Sequence, residues 1–196
     1  VSTVLTLDAA SPVANTFDLA LADGFDQSTI SGTMNADIDI DFLTGAISSI
    51  NLTGGSLVAS GWSMNVTGIG PLNATPSDAT ADTIPVLSLV SGTSFDATEH
   101  RIQLLNGTVN PVGVGLGGTN IEGSGTGSLT STLNGGQYDI VFSMDVNDTE
   151  VFPPGVNLTI MGTVVARGSI TAIPEPTAAI ALCAMVAGLG MRRRRR

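Results

Sequence analysis

Apolar and polar positions alternate along most of the chain up to residue 172. The clearest run is QYDIVFSMDV. Tyr138, Ile140, Phe142, Met144 and Val146 share one parity, and Gln137, Asp139, Ser143 and Asp145 share the other, with Val141 the single exception. Period-two alternation of this length predicts a strand with one buried face. The preceding LTSTLNGG ends in Asn134-Gly135-Gly136, residue types that adopt the left-handed conformations of a two-residue hairpin turn. ADIDIDF repeats the pattern, with Ala36, Ile38, Ile40 and Phe42 inward and Asp37, Asp39 and Asp41 outward. The turn Leu43-Thr44-Gly45 then leads into AISSINL. In NLTIMGTVVARGSI, Leu158, Ile160, Val164, Ala166 and Ile170 share a face. SLVASGWSMNV, IPVLSLV and HRIQLLNGTV read as further strands. Segments 68–83 and 110–127, rich in Gly, Pro, Asn, Ser and Asp, read as longer loops. No stretch of this body carries a helical period.

Half-polar strands joined by short turns predict an antiparallel sheet. About eight to eleven of them make an all-β fold, an antiparallel β-sandwich, with a flattened β-barrel as the alternative. The pattern changes at residue 173. Residues 178–191 carry no charge, and small residues and Leu surround the segment on every face. Its apolar positions include Ala178, Ile180, Leu182, Val186 and Leu189. As a helix it spans about 21 Å, against about 30 Å of bilayer hydrocarbon. With flanking side chains snorkelling outward, it crosses a thinned membrane as a single transmembrane helix. Ahead of it stands Pro174-Glu175-Pro176. Two prolines around one residue hold the chain extended and keep a helix from running back into the body. The chain therefore divides into an exported β-rich domain, 1–172, and a tail, 173–196.

Charge sharpens the division. The net charge is −10, yet the chain has no lysine, and Arg192, Arg193, Arg194, Arg195 and Arg196 stand together at the end. Of the acids, all but Glu175 lie in the body, opposed there only by Arg101 and Arg167. Such a body repels nucleic acid and anionic lipid. Positive charge beside a membrane segment stays cytoplasmic, which places the body outside the inner membrane. The only cysteine, Cys183, lies in the apolar tail, so the body has no disulfide and no thiol nucleophile.

Ile173-Pro174-Glu175-Pro176, a short apolar helix and an arginine cluster at the extreme end together resemble a PEP-CTERM sorting signal. The resemblance covers only the tail. Pro174, Glu175 and Pro176 match the family's motif, while Ile173 stands where the family often has Val. The resemblance implies recognition by an exosortase, a membrane-embedded cysteine transpeptidase that cuts near the motif. It implies a diderm bacterial host that makes exopolysaccharide, transient anchoring in the inner membrane, and release to the cell surface or extracellular matrix. Such a route requires an export signal ahead of Val1.

Within the body, His100 lies between Glu99 and Arg101, which predicts a solvated turn. A Ser-His-Asp site needs that histidine beside an activated serine, and no Gly-x-Ser-x-Gly elbow occurs. Gly113-Val-Gly-Leu-Gly-Gly118 fits GxGxxG, but the following TNIEGSGTG cannot open the helix a dinucleotide site needs. Asp37, Asp39 and Asp41 are spread along a strand, with Phe42 and Ser48 where a calcium loop needs Gly and Glu. Asp145, Asp148 and Glu150, beside VNDTEVFPPG, are the weak calcium candidates. Trp62 and Tyr138 fall on apolar strand faces, which favours core packing over a sugar platform. Asn-x-Thr triplets begin at Asn51, Asn65, Asn73, Asn106, Asn147 and Asn157. With a bacterial tail they reflect strand and turn composition.

The reading is of a non-enzymatic, structural or adhesive body with no cofactor, no resident metal and no nucleic-acid partner. Its partners are the exosortase, the inner membrane and exopolysaccharide. Two alternatives stay open: a secreted hydrolase or carbohydrate-binding module with the same tail, and a permanently membrane-anchored exterior domain.

Overall fold

The computed structural model describes residues 1–8, 14–81, 86–152 and 156–172. Across these residues the protein is all-β, and every strand pairing is antiparallel. The only helical element among them is one 3-10 turn, Ala97–Glu99. No helix among the described residues is long and apolar enough to cross a membrane. The tail predicted to cross one, 173–196, lies outside the described residues.

Four long strands form the frame: β3 (Gly24–Ile40), β4 (Ile47–Ala59), β14 (Gln137–Phe152) and β15 (Val156–Thr171). Their inward parities are the predicted ones. Tyr138, Ile140, Phe142, Met144 and Val146 are buried on β14, and Leu158, Ile160, Val164, Ala166 and Ile170 on β15. Each large side chain so buried contributes about 1.5–3 kcal/mol. β13 (Asn120–Asn134) turns into β14 through Gly135 and Gly136, at φ 58° and 89°. Asn134 pairs with Gln137, so the two-residue turn stands as predicted. Gly45 closes the turn between β3 and β4 at φ 77°, against the Tyr138 ring. Any side chain there would meet that ring at 2.7 Å.

β3 and β15 are each long enough to pair twice on one side. β2 (Thr16–Leu21) lies between the first halves of both, and β1 (Ser2–Leu7) between their second halves. From β13 the ladder continues through β10 (Arg101–Leu104) and β7 (Ser77–Ala81) to β4. β4 pairs back to β3, so the circuit returns on itself. β8 (Val86–Leu89) pairs with β4, and β9 (Ser94–Asp96) pairs with β13. The buried apolar side chains form one continuous core.

Several boundaries differ from the sequence reading. AISSINL and SLVA join into β4, with Gly55 at φ 146° opposite a register shift between Met34 and Ala36. A Cβ at Gly55 would run into the Thr33 carbonyl, so the strand bulges there instead of ending. SLVASGWSMNV breaks at 60–62, and β5 (Ser63–Val66) leaves the ring. HRIQLLNGTV breaks after Leu104, and β11 (Thr108–Asn110) follows β5 out. Segments 68–83 and 110–127 contain much more than loop. β6 (Gly70–Ala74) and β7 lie in the first, β12 (Val114–Gly115) and most of β13 in the second. Strands β12, β11, β6 and β5 form a second, small sheet in that order. Turn-forming composition marked where the chain bends, and the short strands between the bends gain their order from packing on the ring.

Candidate functional site

The described fold holds its last strand centrally. β15 runs between β14 on one side and β2 and β1 on the other. Beyond Thr171, Ala172 still donates its N–H to the Gly136 carbonyl at 3.0 Å. Three further ties fix β15 against the N-terminal strands. The Thr3 hydroxyl donates to the Ser169 carbonyl at 3.1 Å. Arg167 Nε donates to Asp8 Oδ2 at 2.6 Å. Asn15 hydrogen-bonds both backbone groups of Val165. The chain is thus fastened to the residue before Ile173. The motif residues Pro174, Glu175 and Pro176, the anchor residues Ala178, Ile180, Leu182, Val186 and Leu189, and Arg192 to Arg196 all lie outside the described residues.

The calcium candidates are not brought together as one group. Asp145 is exposed on the outer face, where its Oδ1 accepts from the Thr163 hydroxyl at 2.8 Å. Asp148 and Glu150 have the opposite parity, that of Met144 and Val146, and continue the inward face to the rim. Asp148 is already engaged: its Oδ2 accepts from Glu122 N at 2.9 Å and its Oδ1 from Thr149 N at 2.7 Å. Partial burial raises the Glu150 carboxyl above its ordinary value, and the charges of Asp148 and Glu122 add to that. No group of three His, Cys, Asp or Glu side chains that could hold a metal is found among the described residues.

Asp37, Asp39 and Asp41 are all exposed, and each serves a local bond. Asp37 accepts from Ser2, Asp39 from Ser48, and Asp41 from Leu43 N and the Thr44 hydroxyl. These last two hold the Asp41 carboxyl below its ordinary value.

His100 corrects the sequence reading. It is buried at 1% exposure, not solvated, and meets Phe95 edge-on at 5.4 Å between ring centroids. Asp96 caps the 3-10 turn before it by accepting from Thr98 N at 3.0 Å. That turn swings His100 inward, and its charged neighbours in sequence gave no sign of this. Beside the turn, buried Ser88 donates to Glu99 Oε2 at 2.7 Å. GxGxxG, 113–118, forms β12 and the turn after it, and β13 follows instead of a helix. Tyr138 packs in the core and donates its hydroxyl to the Phe42 carbonyl at 2.9 Å. Trp62 is half-buried against the core.

Trp62 also lines a feature the sequence did not announce. A half-open cavity of about 40 Å³ opens beside Trp62, lined by ring strands and by residues of the chain segments 60–62, 75–77 and 116–119. Phe17, Leu19, Leu104, Ile121 and Ile160 line it from the ring, and Leu116 from the segment that follows β12. Its polar lining consists of serine and threonine hydroxyls, with no charged side chain. Of its lining, the sequence singled out only Trp62, as an aromatic residue on an apolar strand face.

No family model, no curated protein and no solved structure matches this chain.

Proposed function

We propose that the chain is an exported cell-surface or extracellular-matrix protein, whose β-domain is structural or adhesive and whose tail is an exosortase sorting signal. The observation that carries this reading is the join between the two parts. Antiparallel pairing fastens β15 through Ala172, directly ahead of Ile173-Pro174-Glu175-Pro176. A cut near the motif would spare every hydrogen bond that fastens β15. The acidic body and the terminal arginines also suit opposite sides of an energised membrane. We read the body's architecture as the flattened-barrel form, supported by the ladder that returns from β4 to β3.

Intact mass of the protein from the producing cell's medium, surface and inner membrane tests the proposal. A new end near Pro174–Pro176 supports sorting. Added mass at that end supports covalent transfer. A full-length tail confined to inner-membrane fractions overturns sorting and leaves a permanently anchored exterior domain.

A secreted hydrolase is the second reading, favoured by Glu150. Its carboxyl is raised mainly by partial burial, with the charges of Asp148 and Glu122 adding to it, and it continues the inward face of β14 at the rim. Release of reducing ends from exopolysaccharide, lost in Glu150→Gln, would replace the first reading.

A further inference from the structure

The cavity beside Trp62 lies where inward side chains of the ring meet the segments 60–62, 75–77 and 116–119. Backbone bonds hold those segments in place. Ser60 N donates to the Thr29 carbonyl and Ala74 N to the Trp62 carbonyl, both at 2.8 Å. Thr75 N donates to the Thr108 carbonyl at 3.0 Å, and Leu116 N to the Gly107 carbonyl at 2.9 Å. Buried Ser28 donates its hydroxyl to the Ser60 carbonyl at 2.7 Å. Gly61 sits so close to the Ala74 carbonyl that a Cβ there would collide with it. The cavity is therefore formed before any ligand arrives, which lowers the ordering cost of binding.

Its lining limits what can enter. A charged group would lose its hydration there without a charged partner. A wholly apolar group would fit the walls but leave hydroxyls idle. Ser77 is 3% exposed and lines the cavity, and none of the hydrogen bonds among the described residues involves its hydroxyl. The Thr75 hydroxyl accepts from Thr108 N at 3.0 Å and keeps its own proton to donate. Size is the other limit. At roughly 10–15 Å³ for each water-sized group, 40 Å³ takes about three heavy atoms. A ring cannot enter, but a short substituent can. Trp62 stands at the opening with its indole half-buried, so part of it stays open to solvent.

We infer that this cavity holds the acetyl group of a neutral acetamido sugar, with the sugar ring against the open part of the Trp62 indole. The inference rests on the reading of the body as an adhesive exported domain, and it names that domain's ligand. An acetyl group has three heavy atoms and both characters the lining asks for. Its methyl meets the apolar ring side chains, and its carbonyl accepts from the Ser77 or Thr75 hydroxyl. The amide N–H beside it can donate to a hydroxyl oxygen, since serine and threonine serve in either sense. Outside, the negative π face of the indole suits the C–H groups of the sugar ring. A mostly apolar recess with a few hydroxyls that fix orientation, in the mouth of a closed sheet, is a common form of small-ligand site.

Trp62 is the only tryptophan in the chain, so intrinsic fluorescence of the full protein reads the site directly. Tri-N-acetylchitotriose and cellotriose share one backbone and differ in the acetamido group. The first should change Trp62 emission saturably. The second should bind about tenfold more weakly, the combined worth of a buried methyl group and a hydrogen bond. Ala59→Val adds two methyl groups to the cavity wall and should weaken the acetylated trimer by a similar factor, in a protein that still melts cooperatively. Ser77→Ala, which adds no bulk, should weaken it several-fold. Should either variant fail to fold, the comparison of the two sugars on the parent decides alone. No saturable change with the acetylated trimer, equal affinity for both sugars, or unchanged affinity in a folded Ala59→Val overturns the site. Protein that fails in this way yet still co-sediments with the producing cell's exopolysaccharide keeps the adhesive reading and loses only this site.

Discussion

The side-chain amide of Asn15 treats Val165 as a neighbouring strand would. Its Nδ2 donates to the Val165 carbonyl at 3.0 Å and its Oδ1 accepts the Val165 N–H at 2.8 Å. Nδ2 also donates to the Asp8 carbonyl at 3.1 Å. Asn15 is buried and sits at φ 64°, a conformation asparagine tolerates better than most residues. One side chain thus helps to bridge the gap between β1 and β2, alongside the backbone N–H groups of Asp8 and Asn15, which donate to the Val165 and Thr163 carbonyls at 2.9 and 2.7 Å.

Asn15→Ala should lower unfolding free energy by about 1–2 kcal/mol, because it leaves the part-buried Val165 N–H without its acceptor, while the Val165 carbonyl keeps the Asp8 N–H at 2.9 Å. Asn15→Gly loses the same bonds but relieves the backbone strain, and should be milder by about 1 kcal/mol. Urea denaturation of the three proteins checks the order. Equal stability of Asn15→Ala and the parent would remove Asn15 from this role.

Glu150 should make the fold more stable in its neutral form. Its carboxyl is raised above 4.5 in the folded state. Ionised Glu150 therefore opposes folding, and that cost disappears as pH falls below the unfolded value. Glu150→Gln should stabilise the protein at neutral pH by well under about 1 kcal/mol, given how exposed the group is. The gain should vanish near pH 4. Denaturation midpoints across pH 4–8 test this, and a gain that grows on acidification would contradict it.

Asp41 should behave in the opposite way. Its carboxyl lies below 3.8 because Leu43 N and Thr44 donate to it. Its contribution is complete above the unfolded value and is lost as pH falls through the folded one. Asp41→Asn should lower the melting temperature at pH 6 and make little difference near pH 2. Thermal melts at the two values decide it.

Filling the cavity should stabilise the protein. Ala59 is a small residue on its wall. At about 24 cal/mol per Å³, complete filling of 40 Å³ corresponds to about 1 kcal/mol. Ala59→Val should therefore raise the melting temperature by about 2–4 °C. A lower melting temperature would mean that the wall beside Ala59 cannot accept two more methyl groups.

The inward faces of β14 and β15 were legible because a strand's period is two and one face must be buried. The Asn134-Gly135-Gly136 turn was legible because few residue types adopt its angles. The break at 60–62 is marked in the sequence only by a change of parity, from Leu57 and Ala59 to Trp62, Met64 and Val66. What ends the strand there is Gly61, packed against the Ala74 carbonyl and Pro76 from a distant part of the chain. His100 was misplaced for a similar reason. Glu99 and Arg101 look solvated in sequence, while a single capped turn rotates the ring between them into the core.

By itself, the sequence determined an all-β antiparallel body and which side of each long strand is buried, because alternation is written residue by residue. It also separated an acidic body from an apolar, arginine-ended tail. Only the tertiary structure decided that β4 returns to β3, that Asn15 bridges β15 between β1 and β2, and that an apolar cavity opens beside Trp62. These depend on contacts between residues far apart in the chain, and no local period encodes them.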